Sequence, residues 1–108
     1  MIQTLHIENY AIIEEINIDF HDSLNIVTGE TGAGKSIILG AFSLLMGKRA
    51  DTKVLHNNKS KCIIEATFLY ENELVNKILI ENDLDQEESL IIRREILPNG
   101  KSRSFIND

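Results

Sequence analysis

Residues 29–36 read Gly29-Glu30-Thr31-Gly32-Ala33-Gly34-Lys35-Ser36, a full match to G-x-x-x-x-G-K-[ST]. Each fixed position has a chemical reason. The glycines let the backbone close into a concave nest whose N–H groups point inward, where they cradle phosphate oxygens. The amino end of the following helix adds its positive dipole. Lys35 is placed to reach the β- and γ-phosphates, and the Ser36 hydroxyl to ligate Mg²⁺. In a chain of ordinary composition such a match arises by chance well under roughly 1% of the time. The alternative is a glycine-rich surface turn with an incidental lysine.

The flanking sequence supplies the context the motif needs. Leu24-Asn25-Ile26-Val27-Thr28 is a short apolar, β-branched run ending at Gly29, which predicts a strand feeding the loop. After the loop, Ile37, Ile38, Ala41, Phe42, Leu44 and Leu45 recur at three- and four-residue spacing, the pattern of a helix with one buried stripe. Gly47 suits the helix end, and Lys48 and Arg49 follow where cations favour the carbonyl terminus.

Working outward, Leu5 and Ile7 fall on one side of a strand from Ile2 to Glu8, with His6 and Glu8 opposite. A turn near Asn9 and Tyr10 leads to a second strand in which Ile16, Ile18 and Phe20 alternate with Asn17 and Asp19. His21-Asp22-Ser23 is turn chemistry. The opening therefore reads as an antiparallel hairpin beside the strand that carries the loop. Beyond the helix, Ala50 to Lys61 is polar and reads as a loop. Cys62, Ile64, Ala66, Phe68 and Tyr70 share one face, the clearest period-two signal in the chain. Glu73 to Asn82 reads as a short helix with Leu74, Val75, Ile78 and Leu79 inward. Ser89 to Leu97 is a strand, Pro98-Asn99-Gly100 a hairpin turn, and Lys101 to Ile106 the returning strand. The fold expected is α/β: one lobe rich in antiparallel strands beside a P-loop strand and helix.

Composition bounds the function. One hundred and eight residues with 43% hydrophobic content suffice for one domain with a modest core. A formal net charge of −6 argues against the whole surface being a nucleic-acid binder. The single cysteine, Cys62, leaves no internal disulfide and alternates with apolar neighbours, so it reads as a small buried side chain. No apolar run reaches membrane-spanning length and the amino terminus has no signal-peptide pattern, so the expectation is a soluble cytoplasmic protein without a membrane partner. His6, His21 and His56 have neither cysteine partners nor metal-ligand spacing, which gives no zinc site.

Nucleotide hydrolysis by P-loop ATPases also needs an acid at the end of a second apolar strand and a group that orients water. The internal candidate is Ile78-Leu79-Ile80-Glu81, but the four-residue pairs Leu74/Ile78 and Val75/Leu79 favour a helix there. The chain stops at Ile106-Asn107-Asp108, directly after a strand, and so reads as residues 1–108 of a longer protein.

Leu5-His6-Ile7-Glu8-Asn9-Tyr10-Ala11-Ile12-Ile13 resembles the opening of the RecN family of bacterial DNA repair proteins. The resemblance continues through Leu24 to Leu39, Leu44 to Asp51, Ile91 to Ile96 and Gly100 to Asn107, nearly the whole chain. One departure is Ser23, where the family often has glycine before the P-loop strand. RecN is similar to the structural-maintenance-of-chromosomes (SMC) proteins, whose ATPase head is split by a long coiled coil. The resemblance implies the amino-terminal lobe of an ABC/SMC-type head, with ATP and Mg²⁺ at residues 29–36 and Ser36 as the metal ligand. It implies a second head as partner in a homodimer, with ATP driving head engagement. It also implies DNA contact through the full-length protein, and a role in double-strand-break repair and recombination. The remaining catalytic motifs would lie outside this segment, leaving it inactive alone.

Arg49 reads as a helix-terminal cation, whereas the resemblance implies an arginine in this region near nucleotide or DNA. Arg93, Arg94, Lys101 and Arg103 concentrate on the last hairpin, where alternation puts Arg93 and Arg94 on opposite faces. They read as a solvated strand face, some with a phosphate contact to DNA. Two other functional classes stay open: a small P-loop phosphotransferase of the nucleotide-kinase kind, and a structural lobe that docks on DNA.

Overall fold

The computed structural model describes residues 2–20, 32–69, 73–84 and 89–107, and for 32–35 and 73–74 the backbone alone. The strand expected at Leu24 to Thr28 lies outside the described residues.

Five strands form one antiparallel sheet: β1 (Ile2–Tyr10), β2 (Ile13–Asp19), β3 (Cys62–Leu69), β4 (Ser89–Ile96) and β5 (Ser102–Ile106), in spatial order β2-β1-β3-β4-β5. Period-two alternation decides which face meets the core. Leu5, Ile7, Ile18, Cys62, Ile64, Ala66 and Ile96 are buried on the same side. Onto that side packs α1 (Gly32–Leu45), burying Ile38, Ala41, Leu44 and Leu45. Each fully buried Leu or Ile contributes roughly 1.5–3 kcal/mol, so this one layer of contacts holds helix to sheet. The opposite stripe of α1, with Ser36, Leu39 and Ser43, is exposed, as is Met46 just past its end.

The helix approaches β1 closely at one point. A Cβ on Gly40 would stand 2.5 Å from the Tyr10 hydroxyl, so glycine is what lets the strand end meet the helix.

The first hairpin turns later than the sequence suggests. Asn9 and Tyr10 belong to β1, and Ala11 and Ile12 form the turn. Asn9 has the turn-like φ of 56°, yet it uses this conformation inside the strand. Its buried amide Nδ2 donates to the carbonyls of Asn57 (3.0 Å) and Ser60 (2.9 Å), and its Oδ1 accepts from the Asn57 amide. The segment expected as a plain loop is thereby pinned. It also contains a 3₁₀ turn at Thr52–Val54, capped by Asp51, and the buried Leu55, which bridges to Tyr10.

The second hairpin is as expected. Gly100 takes φ +90°, and Leu97 and Lys101 close the turn at 2.8 Å. The alternation also holds for Ile18 of β2 and for Phe20 just beyond it, both buried, but Ile16 is 38% exposed on this edge strand.

The second helix, α2 (Glu73–Glu81), buries Leu79 but leaves Ile78 48% exposed, against the expected inward face. Neighbouring residues on a helix point about 100° apart, so a narrow contact that takes position 79 turns 78 outward. Asp83, with φ 55°, and the Leu84 amide bonded to the Leu79 carbonyl (2.8 Å) end it.

Candidate nucleotide site

The motif meets the described structure at its second glycine. Helix α1 is described from Gly32, so Gly32, Ala33, Gly34, Lys35 and Ser36 lie within it rather than preceding it. Gly29, Glu30 and Thr31 lie outside the described residues, and of residues 32–35 the backbone is described. Ser36 is exposed on the helix surface. The first-turn amides of a helix have no intrahelical acceptors and carry the positive end of its dipole. Among the described residues, that first turn contains no Asp or Glu.

The other end of α1 is fastened elaborately. Gly47, with φ +106°, donates its amide to the Leu44 carbonyl at 3.1 Å, and Lys48 donates to Ser43 at 3.0 Å, a Schellman closure. Arg94, 8% exposed, completes it. Its Nη1 donates to the carbonyl of Leu44 at 2.6 Å and to that of Lys48, while Nη2 reaches Ser102 Oγ of β5 at 3.3 Å.

This corrects the reading of the cations. Lys48 and Arg49 lie past the helix, are exposed, and place no positive charge in its last turn. The guanidinium at the negative end of the dipole comes instead from β4. Its sequence signal was the alternation itself, since Arg94 sits between Ile92 and Ile96 in the row facing the core.

Arg93 points the other way, into an ion-pair cluster. It lies 3.6 Å from Glu65 and 3.4 Å from Glu95, with its guanidinium 4.3 Å from the Phe105 ring centre. Lys61 adds a second cation 3.4 Å from Glu95. Carboxylates therefore occupy Arg93, whereas Lys101 and Arg103 of the same hairpin are exposed.

Glu81 lies in α2 and is exposed, so the stretch around it is helix and does not form an acid-bearing strand. Cys62 is fully buried, and burial together with the nearby Glu8 pushes its thiol up to about 12. Such a group is a packing element without thiolate chemistry near neutral pH. His6 bonds Asn17 at 2.5 Å, and His56 Nδ1 donates to the Ala11 carbonyl at 2.8 Å. Among the described residues, no three His, Cys, Asp or Glu side chains gather as a metal site. No described helix is long and apolar enough to cross a membrane.

The AAA domain family matches residues 4–107, from the first strand through the last hairpin. The chain belongs to that family.

Within it, this AAA domain is 40% identical over 99% of its length to the DNA repair protein RecN of Bacillus subtilis, and 35% identical over 99% to RecN of Vibrio cholerae. It spans about a fifth of the length of these curated relatives, 19% and 20% respectively. The RecN resemblance of the sequence is thus borne out. Among solved structures, an SMC ATPase studied for ATP-driven dimerization and DNA-stimulated activation superposes with a TM-score of 0.68. It is 18% identical, and the match covers 98% of this chain and 69% of that one. The fold is that of the amino-terminal lobe of an SMC-type ATPase head.

Proposed function

We propose that this AAA domain is the nucleotide-binding front of a DNA repair ATPase head. ATP is held at Gly29 to Ser36: the loop and first-turn amides of α1 contact the phosphates, Lys35 neutralises β- and γ-oxygens, and Ser36 ligates Mg²⁺. Mg²⁺ supplies charge neutralisation and fixes the phosphate geometry when bound. The observation that carries this reading is that residues 32–36 of the G-x-x-x-x-G-K-[ST] motif belong to α1, whose first described turn has no acidic residue. With its carboxyl end capped, the helix presents the positive end of its dipole on the side of the motif.

By analogy with the SMC ATPase it superposes on, ATP serves head engagement with a second copy, and hydrolysis requires groups from the rest of the full-length protein. DNA is the partner of the full-length protein, in repair of double-strand breaks by recombination, as the similarity to RecN supports.

In the full-length protein, Lys35→Ala is expected to weaken MgATP binding at least about 100-fold, since a charge-assisted contact to phosphate is lost in a preorganised site. Titration of a fluorescent ATP analogue checks it. Unchanged affinity would sink the assignment.

A further inference from the structure

A buried arginine is costly to desolvate, and an apolar side chain in its place would often be as stable or more so. Its strand neighbours on the same face, Ile92 and Ile96, are apolar, yet Arg94 keeps its charge in the core-facing row. All the contacts its terminal nitrogens make go to one end of one helix and to one hydroxyl of the adjoining strand. The carbonyls it holds, Leu44 and Lys48, lie 50 and 46 residues away in sequence. Ser102 braces the guanidinium from β5.

Helix α1 has 14 residues, which makes it a rod about 21 Å long with the nucleotide motif at its far end. Exposed along Leu39 and Ser43, it is held to this lobe on one side. Movement of its carboxyl end is therefore carried along the rod to the amides of its first turn. Misplacement of about 1 Å at a reactive centre can cost about 100-fold.

We propose that Arg94 is a positioning residue of the nucleotide site, fixing the carboxyl end of α1 against β4 and β5 so that its amino end meets the phosphates in register. This rests on the nucleotide reading above. Arg94 touches no phosphate itself. It acts through the helix, by two carbonyl bonds and by placing a cation at the negative end of the dipole.

The test is MgATP affinity in the full-length protein, measured well below the melting transition, where loss of stability alone leaves binding unchanged. Arg94→Met is expected to raise the Kd about tenfold, the equivalent of losing one charge-assisted bond's worth of preorganisation. Arg94→Lys should fall between it and the unsubstituted protein, because an ammonium keeps the charge but lacks the fork that spans both carbonyls and Ser102. Arg93→Met, on the other face, should bind as the unsubstituted protein does. If Arg94→Met does not fold, Arg94→Lys decides: a Kd raised beyond experimental error supports positioning. Wild-type affinity in folded Arg94 variants, with only a lowered Tm, overturns the inference and leaves the nucleotide reading standing. Failure of the unsubstituted protein to bind MgATP, or retention of binding by Lys35→Ala, overturns that reading and this inference together.

Discussion

On the face of the sheet covered by α1, β4 contributes Ile92, Arg94 and Ile96; on the other face it contributes Arg93 and Glu95. The consecutive arginines have the same charge and length but different work. Arg94, 8% exposed, meets the backbone carbonyls of Leu44 and Lys48 at the end of α1. Arg93 meets carboxylates and an aromatic ring on a face where it remains 27% exposed, and its ion pairs are correspondingly screened. The difference teaches that a charged residue in a strand takes its role from the face it occupies.

The contrast predicts unequal costs along β3 as well. Ile64→Ala, on the covered face, should destabilise the fold by about 3 kcal/mol through lost burial and the cavity left behind. Glu65→Ala, one residue on, should cost under about 1 kcal/mol, since its partner Arg93 keeps Glu95. Urea denaturation of both variants measures this, and equal costs would break the distinction between the faces.

A finer test lies where β1 meets α1. Gly40→Ala gains about 1 kcal/mol of helix propensity, but forces the new methyl against the Tyr10 hydroxyl at a cost of roughly 1–3 kcal/mol. Removing that hydroxyl in Tyr10→Phe leaves the ring carbon 3.7 Å from the added atom, an ordinary contact. Gly40→Ala should therefore stabilise the Tyr10→Phe protein and fail to stabilise the parent. A double-mutant cycle should return a coupling of about 1–2 kcal/mol.

The smallest effect concerns Cys62 on the covered face. Its folded thiol titrates near 12 against an ordinary 9.0, so the unfolded chain loses the proton first as pH rises. The associated stability is present below pH 9 and declines above it, approaching about 1.4 kcal/mol per pH unit once the unfolded thiol is fully ionised. Between pH 9 and pH 10, Cys62→Ala should show a shallower loss of stability than the parent protein. Identical slopes would show that the thiol is not sealed from water.

Local pattern made much of this architecture legible. Alternation in β1 and β3 named the inward residues Leu5, Ile7, Cys62, Ile64 and Ala66, and the three-and-four spacing after Lys35 named the stripe of α1. Pro98-Asn99-Gly100 marked its own hairpin, because the turn is built from residues that adopt it intrinsically. Asn9 misled for the same reason: its left-handed conformation is that of a turn, but here it serves bonds to Asn57 and Ser60 far along the chain. Ile78 misled because a nine-residue helix has several plausible inward stripes, and its contacts choose between them.

The phosphate cradle proposed at residues 29–36 is read from the backbone freedom of glycines and the charge of Lys35, properties that belong to the short stretch itself. Which cation would cap the helix behind that cradle could not be read the same way. Lys48 and Arg49 are adjacent to it in the chain, whereas Arg94 comes from another strand and reaches it through pairing and packing. Periodicity encodes the direction of a side chain, but its partner is fixed when distant segments are brought within hydrogen-bonding distance.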